Sequence, residues 1–157
     1  MRHASDAVLR ASRYSLSKEH VETCMELSLD HFEVVAGRGF FRPVGHVSLG
    51  EAIEMVDRAI AHARASGITR LLVSGLRLTG VESPSLSERY FLVEKWARTA
   101  NGAVRVGMAI SPHLIDPQKF GVTVAVNRRL VADVFVTEAS AIAWLDSDDP
   151  PSFSCTV

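Results

Sequence analysis

The sequence of 157 residues has few of the features that mark disulfide-rich, metal-binding or membrane proteins. Its two cysteines, Cys24 and Cys155, lack the CxxC spacing of a zinc site and imply no disulfide framework, so we expect reduced thiols and no metal. No stretch approaches the roughly 20 apolar residues that a membrane-spanning helix needs. Residues 1–17 carry arginines but lack the apolar core of a signal peptide. These absences predict a cytoplasmic protein.

The charged residues favour neither sign, with 17 Lys and Arg against 18 Asp and Glu interspersed along the chain. Because no global field would attract an anionic polymer, we expect no nucleic-acid partner. The length and the 47% hydrophobic content suit one domain with a real core. We place this domain at residues 29–145, after a partly disordered N-terminal extension (1–28) and before a C-terminal tail (146–157).

Strand and helix patterns alternate along this predicted domain. The segments Ser48–Glu51 and Ser85–Glu88 have the Ser-x-x-Glu pattern of a capping box and each precedes apolar residues at helical spacing. The full prediction is a β-hairpin at 31–44 turning at 37–39, helices starting at 48, 85, 118 and 137, and strands at 70–74, 104–110 and 132–136. Strands separated by helices pair in parallel, so this order predicts an α/β fold: a mixed sheet of about five strands with four helices.

Three segments resemble one known superfamily. They are the loop Ser74–Gly80, the helix start Ser85-Leu-Ser-Glu-Arg-Tyr90 and the later Asp116-Pro-Gln-Lys-Phe-Gly121. Together with the element order they look like the STAS and SpoIIAA-like superfamily, and most like bacterial SpoIIAA-like proteins of the STAS/SEC14 type. The resemblance covers roughly residues 29–145 and implies a SpoIIAA-like fold.

The resemblance also implies a place for phosphorylation. In anti-sigma-factor antagonists of the superfamily, a serine or threonine at the start of the helix after the central strand is phosphorylated. Ser83 and Ser85 match that place, within Glu82-Ser-Pro-Ser-Leu86. This stretch departs from the family pattern, because it has an inserted proline and lacks the glycine.

The same serines are candidates for anion binding. A helix N-terminus presents unpaired N–H groups and the positive end of the helix dipole, so Ser83 and Ser85 could hold a phosphate or another anion. Arg77, in the preceding loop, could reach such an anion as a bidentate donor. The alternative is that Ser85 is only a helix cap and Arg77 a solvated surface residue.

A second polar cluster follows the next strand. His113, Asp116 and Lys119 lie near the carboxyl edge of the predicted sheet, where open α/β sheets bind ligands. His113 could exchange protons with Asp116 orienting it, while the alternatives are a solvated histidine and a helix-capping aspartate. We therefore include His113 and Lys119 among the ligand-binding candidates and rank an enzyme using His113 and Asp116 last.

The aromatic residues suggest an interface and a core. Phe40 and Phe41 are consecutive in a predicted strand and so point to opposite faces. We expect one of them to be exposed or covered by a partner, a ligand or a lipid surface. This suggests a protein partner, membrane association or a homodimer through the hairpin. Tyr90, Phe91 and Trp96 could line a pocket for an apolar ligand, but they lie on an amphipathic helix, and we expect them to pack in the core.

These observations favour a non-catalytic STAS-like regulatory or binding module without a cofactor. It would recognise a protein partner or a small anionic ligand at the carboxyl edge of the sheet. The alternative is a lipid- or membrane-associating protein of the SpoIIAA-like type.

Overall fold

The computed structural model describes residues 29–152 and shows an α/β fold in that part of the chain. The predicted extension 1–28 and the last five residues lie outside the described range. The helices are α1 (Leu49–Ala65), α2 (Leu86–Ala100), α3 (Phe120–Asn127) and α4 (Glu138–Asp146). The strands are β1 (Phe32–Val35), β2 (Arg38–Phe41), β3 (Gly45–His46), β4 (Arg70–Ser74), β5 (Leu78–Thr79), β6 (Arg105–Ala109) and β7 (Ala132–Phe135).

The main sheet has five strands in the order β1-β2-β4-β6-β7. β1 and β2 are antiparallel and every other pair is parallel, so the predicted mixed sheet with four helices is confirmed. The hairpin turns at Ala36 and Gly37, one residue earlier than predicted. Both residues have positive φ angles, 51° and 77°, which suit a two-residue turn between twisted strands.

A second, two-stranded parallel sheet was not predicted. β3 pairs with β5, with Gly45 opposite Leu78 and His46 opposite Thr79. Each strand has only two residues, too few to show an alternating pattern in the sequence. This small sheet joins the connection before α1 to the connection before α2.

Helices cover both faces of the main sheet. On one face, α1, α2 and α3 enclose the larger core, which includes Phe41. On the other face, α4 packs through Trp144 and Leu145 against Phe40 and Leu72. Because side chains alternate along β2, its two phenylalanines enter different cores.

The expectation that Phe40 or Phe41 is exposed was therefore wrong. Phe40 is 7% exposed and Phe41 only 1%. Consecutive aromatic residues on a strand can both be buried when each face of the sheet carries a helix layer. The predicted partner or lipid surface at these two residues is thus not available in the structure.

The N-termini of α1 and α2 carry the predicted capping boxes. Ser48 Oγ accepts a hydrogen bond from the N–H of Glu51 at 3.2 Å, and Glu51 Oε2 accepts one from the N–H of Ser48 at 2.8 Å. Ser85 and Glu88 make the same two bonds, at 3.2 and 2.7 Å. Each box satisfies N–H groups that have no partner within the helix.

α3 begins at Phe120 rather than near Gln118. The preceding Lys119 has a left-handed backbone conformation (φ 50°), which interrupts the helical path. Asp116 is therefore not the N-cap residue, but its Oδ2 still accepts a hydrogen bond from the N–H of Phe120, the first helical residue, at 2.8 Å.

The aromatic residues of α2 do not all enter the core. Trp96 is buried and donates from Nε1 to the carbonyl of Ile53 at 3.1 Å, and Tyr90 is half-buried. Phe91 is 65% exposed, so the expectation of core packing was wrong for this residue. Residues five apart are separated by about 140° around a helix, so Phe91 and Trp96 face different directions.

No helix within residues 29–152 is long and apolar enough to cross a membrane.

Candidate functional site

A cavity of about 150 Å³ lies between the sheet and the helices α1, α2 and α3. Its walls are mostly apolar side chains from the sheet, from all three of these helices and from the loops after β4 and β6, including Val73, Met108, Ile53, Leu92, Val122 and Ile110. The parallel strands β2, β4, β6 and β7 all end at this edge. Ligands of open α/β sheets bind outside the carboxyl ends of the strands, which makes this cavity the candidate site.

Two connecting segments, 43–48 and 75–84, form the roof of the cavity and are called the roof segments below. Both contribute lining residues, among them Pro43 and Val81. The β3–β5 pairing joins them, and the N–H of Val47 adds a hydrogen bond to the carbonyl of Thr79 at 2.9 Å. The unpredicted two-stranded sheet therefore shapes the cavity.

Arg89 is the side chain that ties the roof to the turn after β6. Its Nη1 donates to the carbonyl of Leu114 at 3.0 Å, and its Nη2 donates to Ser83 Oγ at 3.1 Å. The residue is half-buried and lines the cavity. Within the described part of the chain it forms no salt bridge with a carboxylate. The cavity thus has a cation at its edge that is held only by neutral oxygen atoms.

The serine candidates lie beside this cation. Ser83 accepts from Arg89, whereas the hydroxyl of Ser85 is engaged in its capping box. Arg89 also brings Ser83 close to the 3₁₀ turn Pro112–Leu114, which contains His113. The structure therefore joins these two predicted segments through a residue that was not among the candidates.

The other candidates are placed differently. Arg77 and His113 are exposed and do not line the cavity. Anion binding by the four candidates Arg77, Ser83, Ser85 and His113, and phosphorylation of either serine, stay predictions.

Lys119 lines the cavity but already has an anionic partner. Its Nζ lies 2.9 Å from Asp133 Oδ1 and 2.8 Å from Ser152 Oγ. The side chains of Lys119 and Asp133 are only 9% and 1% exposed. An added anion would have to displace this carboxylate, and breaking a buried ion pair is costly. Lys119 is therefore a weaker candidate for ligand binding than Arg89.

Asp133 has a structural role at the open edge of the sheet. The carbonyls of Val131, just before β7, and of Phe135, at its end, accept hydrogen bonds from the N–H groups of Val106 and Ile110, so the N–H of Val134 points away from β6. Asp133 Oδ1 accepts from this N–H at 2.8 Å. Asp133 Oδ2 accepts from the N–H and hydroxyl of Ser152 at 2.9 and 3.1 Å. The carboxylate thus satisfies an edge-strand donor and anchors the C-terminal segment.

The opposite face of the sheet has an internal ion pair at the same edge. Arg42 Nε lies 3.1 Å from Glu138 Oε1 at the start of α4. Hydrogen bonds from Arg42 hold the pKa of Glu138 below its ordinary value, with a smaller contribution from the hydroxyl of Ser74. These charges compensate each other, so Arg42 differs from Arg89 in having a carboxylate partner.

Within residues 29–152, no three His, Cys, Asp or Glu side chains are close enough together to hold a metal ion.

Comparison with protein-family models, curated proteins and solved structures finds no match to this chain. The resemblance to the STAS and SpoIIAA-like superfamily therefore stays a prediction. The cavity and Arg89 are the features from which we infer a function.

Sequence reasoning missed Arg89 because it falls in the first turns of a well-capped helix, where an arginine is ordinary. A signal was nevertheless present in its spacing. Ser85 is the N-cap and Arg89 lies four residues later, about one helical turn into α2. A long side chain at that distance from the N-cap can reach back to the loop that contains Ser83.

Proposed function

We propose that the protein is a non-catalytic binding module that takes a small, largely apolar ligand into the cavity at the carboxyl edge of the sheet. The observation that carries this proposal is the apolar cavity of about 150 Å³ beneath the roof segments. Apolar cavities of roughly this size stay free of water and take up ligands such as benzene.

The energetics favour occupancy by a ligand. An apolar ligand of matching shape would remove the apolar walls from water and make dispersion contacts with them. The walls contain few polar groups that would hold water instead.

The polar groups near the cavity support binding rather than catalysis. Asp116 accepts from the backbone of α3, and Lys119 and Asp133 are paired with each other. A side chain that transfers a proton to a substrate must be able to reach it. Here Asp116 and Asp133 already accept structural hydrogen bonds, so we do not propose the enzyme that uses His113 and Asp116.

We include a regulatory role in the proposal. The roof segment 75–84 contains Ser83 and the exposed Leu76, and it also lines the cavity. A ligand below this segment would restrict its motion and so change the surface that a protein partner meets. This is the STAS-like regulatory behaviour that the sequence suggests. Lipid association is not proposed, because the two phenylalanines that suggested it are buried.

A cavity-filling substitution tests the proposal. Ala52 lies on α1 and lines the cavity, whereas Ala61 lies on the same helix and is exposed. Ala52→Leu adds three carbon atoms toward the cavity, and Ala61→Leu is the matched control. Benzene and cyclohexanol serve as neutral apolar probes, with binding followed by the midpoint of thermal unfolding and by calorimetry.

We expect both probes to raise the unfolding midpoint of the wild type and of Ala61→Leu, and to have a much smaller effect on Ala52→Leu. The reason is that the added leucine carbons occupy the space that the probe would fill. An equal response from Ala52→Leu would place binding elsewhere. No response from the wild type would contradict the proposal.

A further inference from the structure

We infer that the ligand of the cavity is a small monocarboxylic acid, with its carboxylate bound by Arg89 and its apolar body inside the cavity. This inference rests on the proposed function and adds the chemical class of the ligand. It depends on the donors of Arg89, on the absence of a partner charge in the described residues and on the size of the cavity.

The guanidinium of Arg89 has donors to spare. An arginine carries five N–H donors, and the structure shows bonds from Arg89 to two acceptors, the carbonyl of Leu114 and the hydroxyl of Ser83. Both acceptors are neutral. A carboxylate would supply two acceptor oxygens and a compensating negative charge, in the bidentate geometry that arginine prefers.

Apart from Arg105, the other half-buried or buried Lys and Arg side chains of the described residues have carboxylate partners. Lys119 pairs with Asp133 at 2.9 Å, Arg42 pairs with Glu138 at 3.1 Å, and Arg38 pairs with Asp146. Arg89 differs from these three because both of its hydrogen-bond acceptors are neutral. An anionic ligand would give Arg89 the partner that the others already have.

Arg105 provides an instructive contrast. It also donates to carbonyl oxygens, those of Trp144 and Asp149, at 3.0 and 2.6 Å. Its guanidinium carbon, however, lies 3.8 Å from the centre of the Trp144 ring, and Arg105 does not line the cavity. The aromatic face stabilises that cation. Arg89 has no such contact within the described residues and lies next to an open apolar volume.

The cavity favours a carboxylate over a phosphate. One arginine neutralises a singly charged carboxylate, whereas a phosphate dianion would remain undercompensated beside apolar walls. The volume of about 150 Å³ suits a six-membered ring or a short branched chain, because cavities of this size accommodate benzene. The predicted class is therefore exemplified by benzoate and cyclohexanecarboxylate.

The test compares acids with neutral molecules of the same shape. Benzoate and cyclohexanecarboxylate are paired with benzyl alcohol and cyclohexylmethanol, and inorganic phosphate is the third probe. Dissociation constants are measured by calorimetry at pH 7 on the full chain. Arg89→Met removes the charge and keeps an apolar stem. Arg64→Met is the control, since Arg64 is an exposed arginine that also donates to a carbonyl, that of Thr99 at 3.2 Å.

We expect Arg89→Met to weaken carboxylate binding by about 10- to 100-fold, the effect of losing a charged hydrogen bond, and to weaken binding of the neutral probes by a much smaller factor. Arg64→Met should bind every probe as the wild type does. If Arg89→Met does not fold, Arg89→Lys tests the inference instead. Lysine keeps the charge but loses the bidentate geometry, so carboxylates alone should bind more weakly.

Three outcomes would overturn the inference. If the neutral probes bind as tightly as the acids and Arg89→Met binds the acids as the wild type does, the ligand need not be a carboxylate. The proposed function would not be contradicted by that result. If phosphate binds more tightly than either acid, the inferred class of anion is wrong. No binding of any probe to the wild type would contradict the proposed function itself.

Discussion

Replacing Lys119 by methionine should lower the free energy of unfolding by about 3 kcal/mol, because it leaves the carboxylate of Asp133 buried without its cation. Asp133 is 1% exposed, and Lys119 Nζ lies 2.9 Å from its Oδ1. Breaking a buried ion pair from one side typically costs about 3–5 kcal/mol. We expect the lower end, since Asp133 keeps the donors of Val134 and Ser152.

The backbone conformation does not complicate this comparison. Lys119 has a φ of 50°, and lysine and methionine both have a Cβ that disfavours this region to a similar degree. The measured change therefore reports the ion pair and its hydrogen bonds. The double variant Lys119→Met with Asp133→Asn removes both charges, so it should lose less stability than Lys119→Met alone.

Urea denaturation followed by tryptophan fluorescence measures the effect, with Trp96 and Trp144 as the reporters in the two cores. Lys95→Met is the matched control, because Lys95 pairs with Glu54 at the surface and the substitution is the same. We expect little change in the control, since exposed ion pairs contribute little. If Lys119→Met is no less stable than Lys95→Met, the assigned role of the buried pair is wrong.

Three other predictions concern the helix caps, the core and the pH dependence. Ser48→Ala should lower the free energy of unfolding, measured by urea denaturation, by about 1 kcal/mol, because it removes the acceptor for the N–H of Glu51. An unchanged free energy of unfolding would refute the capping role of Ser48. Phe41→Ala should lower the free energy of unfolding by about 3–5 kcal/mol, and Phe91→Ala by far less, because Phe91 is exposed. Equal losses in the two variants would contradict the assigned core. The lowered pKa of Glu138 gives stability that is present above its unfolded-state pKa and is lost as the pH falls through the lower folded-state pKa. Glu138→Gln should therefore make the free energy of unfolding less steeply dependent on pH below 4.5. The same pH dependence in the variant and the wild type would refute this.

The order of helices and strands could be predicted because its signals are local. The capping boxes at Ser48 and Ser85 mark their helices through hydrogen bonds made within four residues. The short apolar run Arg70–Ser74 predicts a strand covered on both faces, and four of its five residues are buried. Such features depend little on the rest of the fold.

Burial of consecutive residues depends on distant elements and was harder to predict. Phe40 is covered by α4, about 100 residues later in the chain, and nothing in the hairpin sequence shows that cover. The β3–β5 pairing depends in the same way on two loops that meet only in the folded chain.

The sequence predicts at which edge of the sheet the candidate site lies. It does not predict which cation at that edge is without a carboxylate partner. The carboxyl edge of the sheet follows from the parallel topology, and Ser83 does lie there beside Arg89. The choice between Lys119 and Arg89 required the partners of each, because the carboxylate of Asp133 lies 14 residues after Lys119. Neither spacing nor composition shows which of the two has an anionic neighbour.

Methyl NMR spectra titrated with cyclohexanecarboxylate test the central claim most directly. The isoleucine and leucine methyl groups report on both faces of the sheet. We expect saturable shifts at Ile53, Leu92 and Ile110, which line the cavity, and none at Ile142 and Leu145 on the α4 side. Shifts confined to the α4 side, or no saturable shift at the cavity methyl groups, would contradict the account.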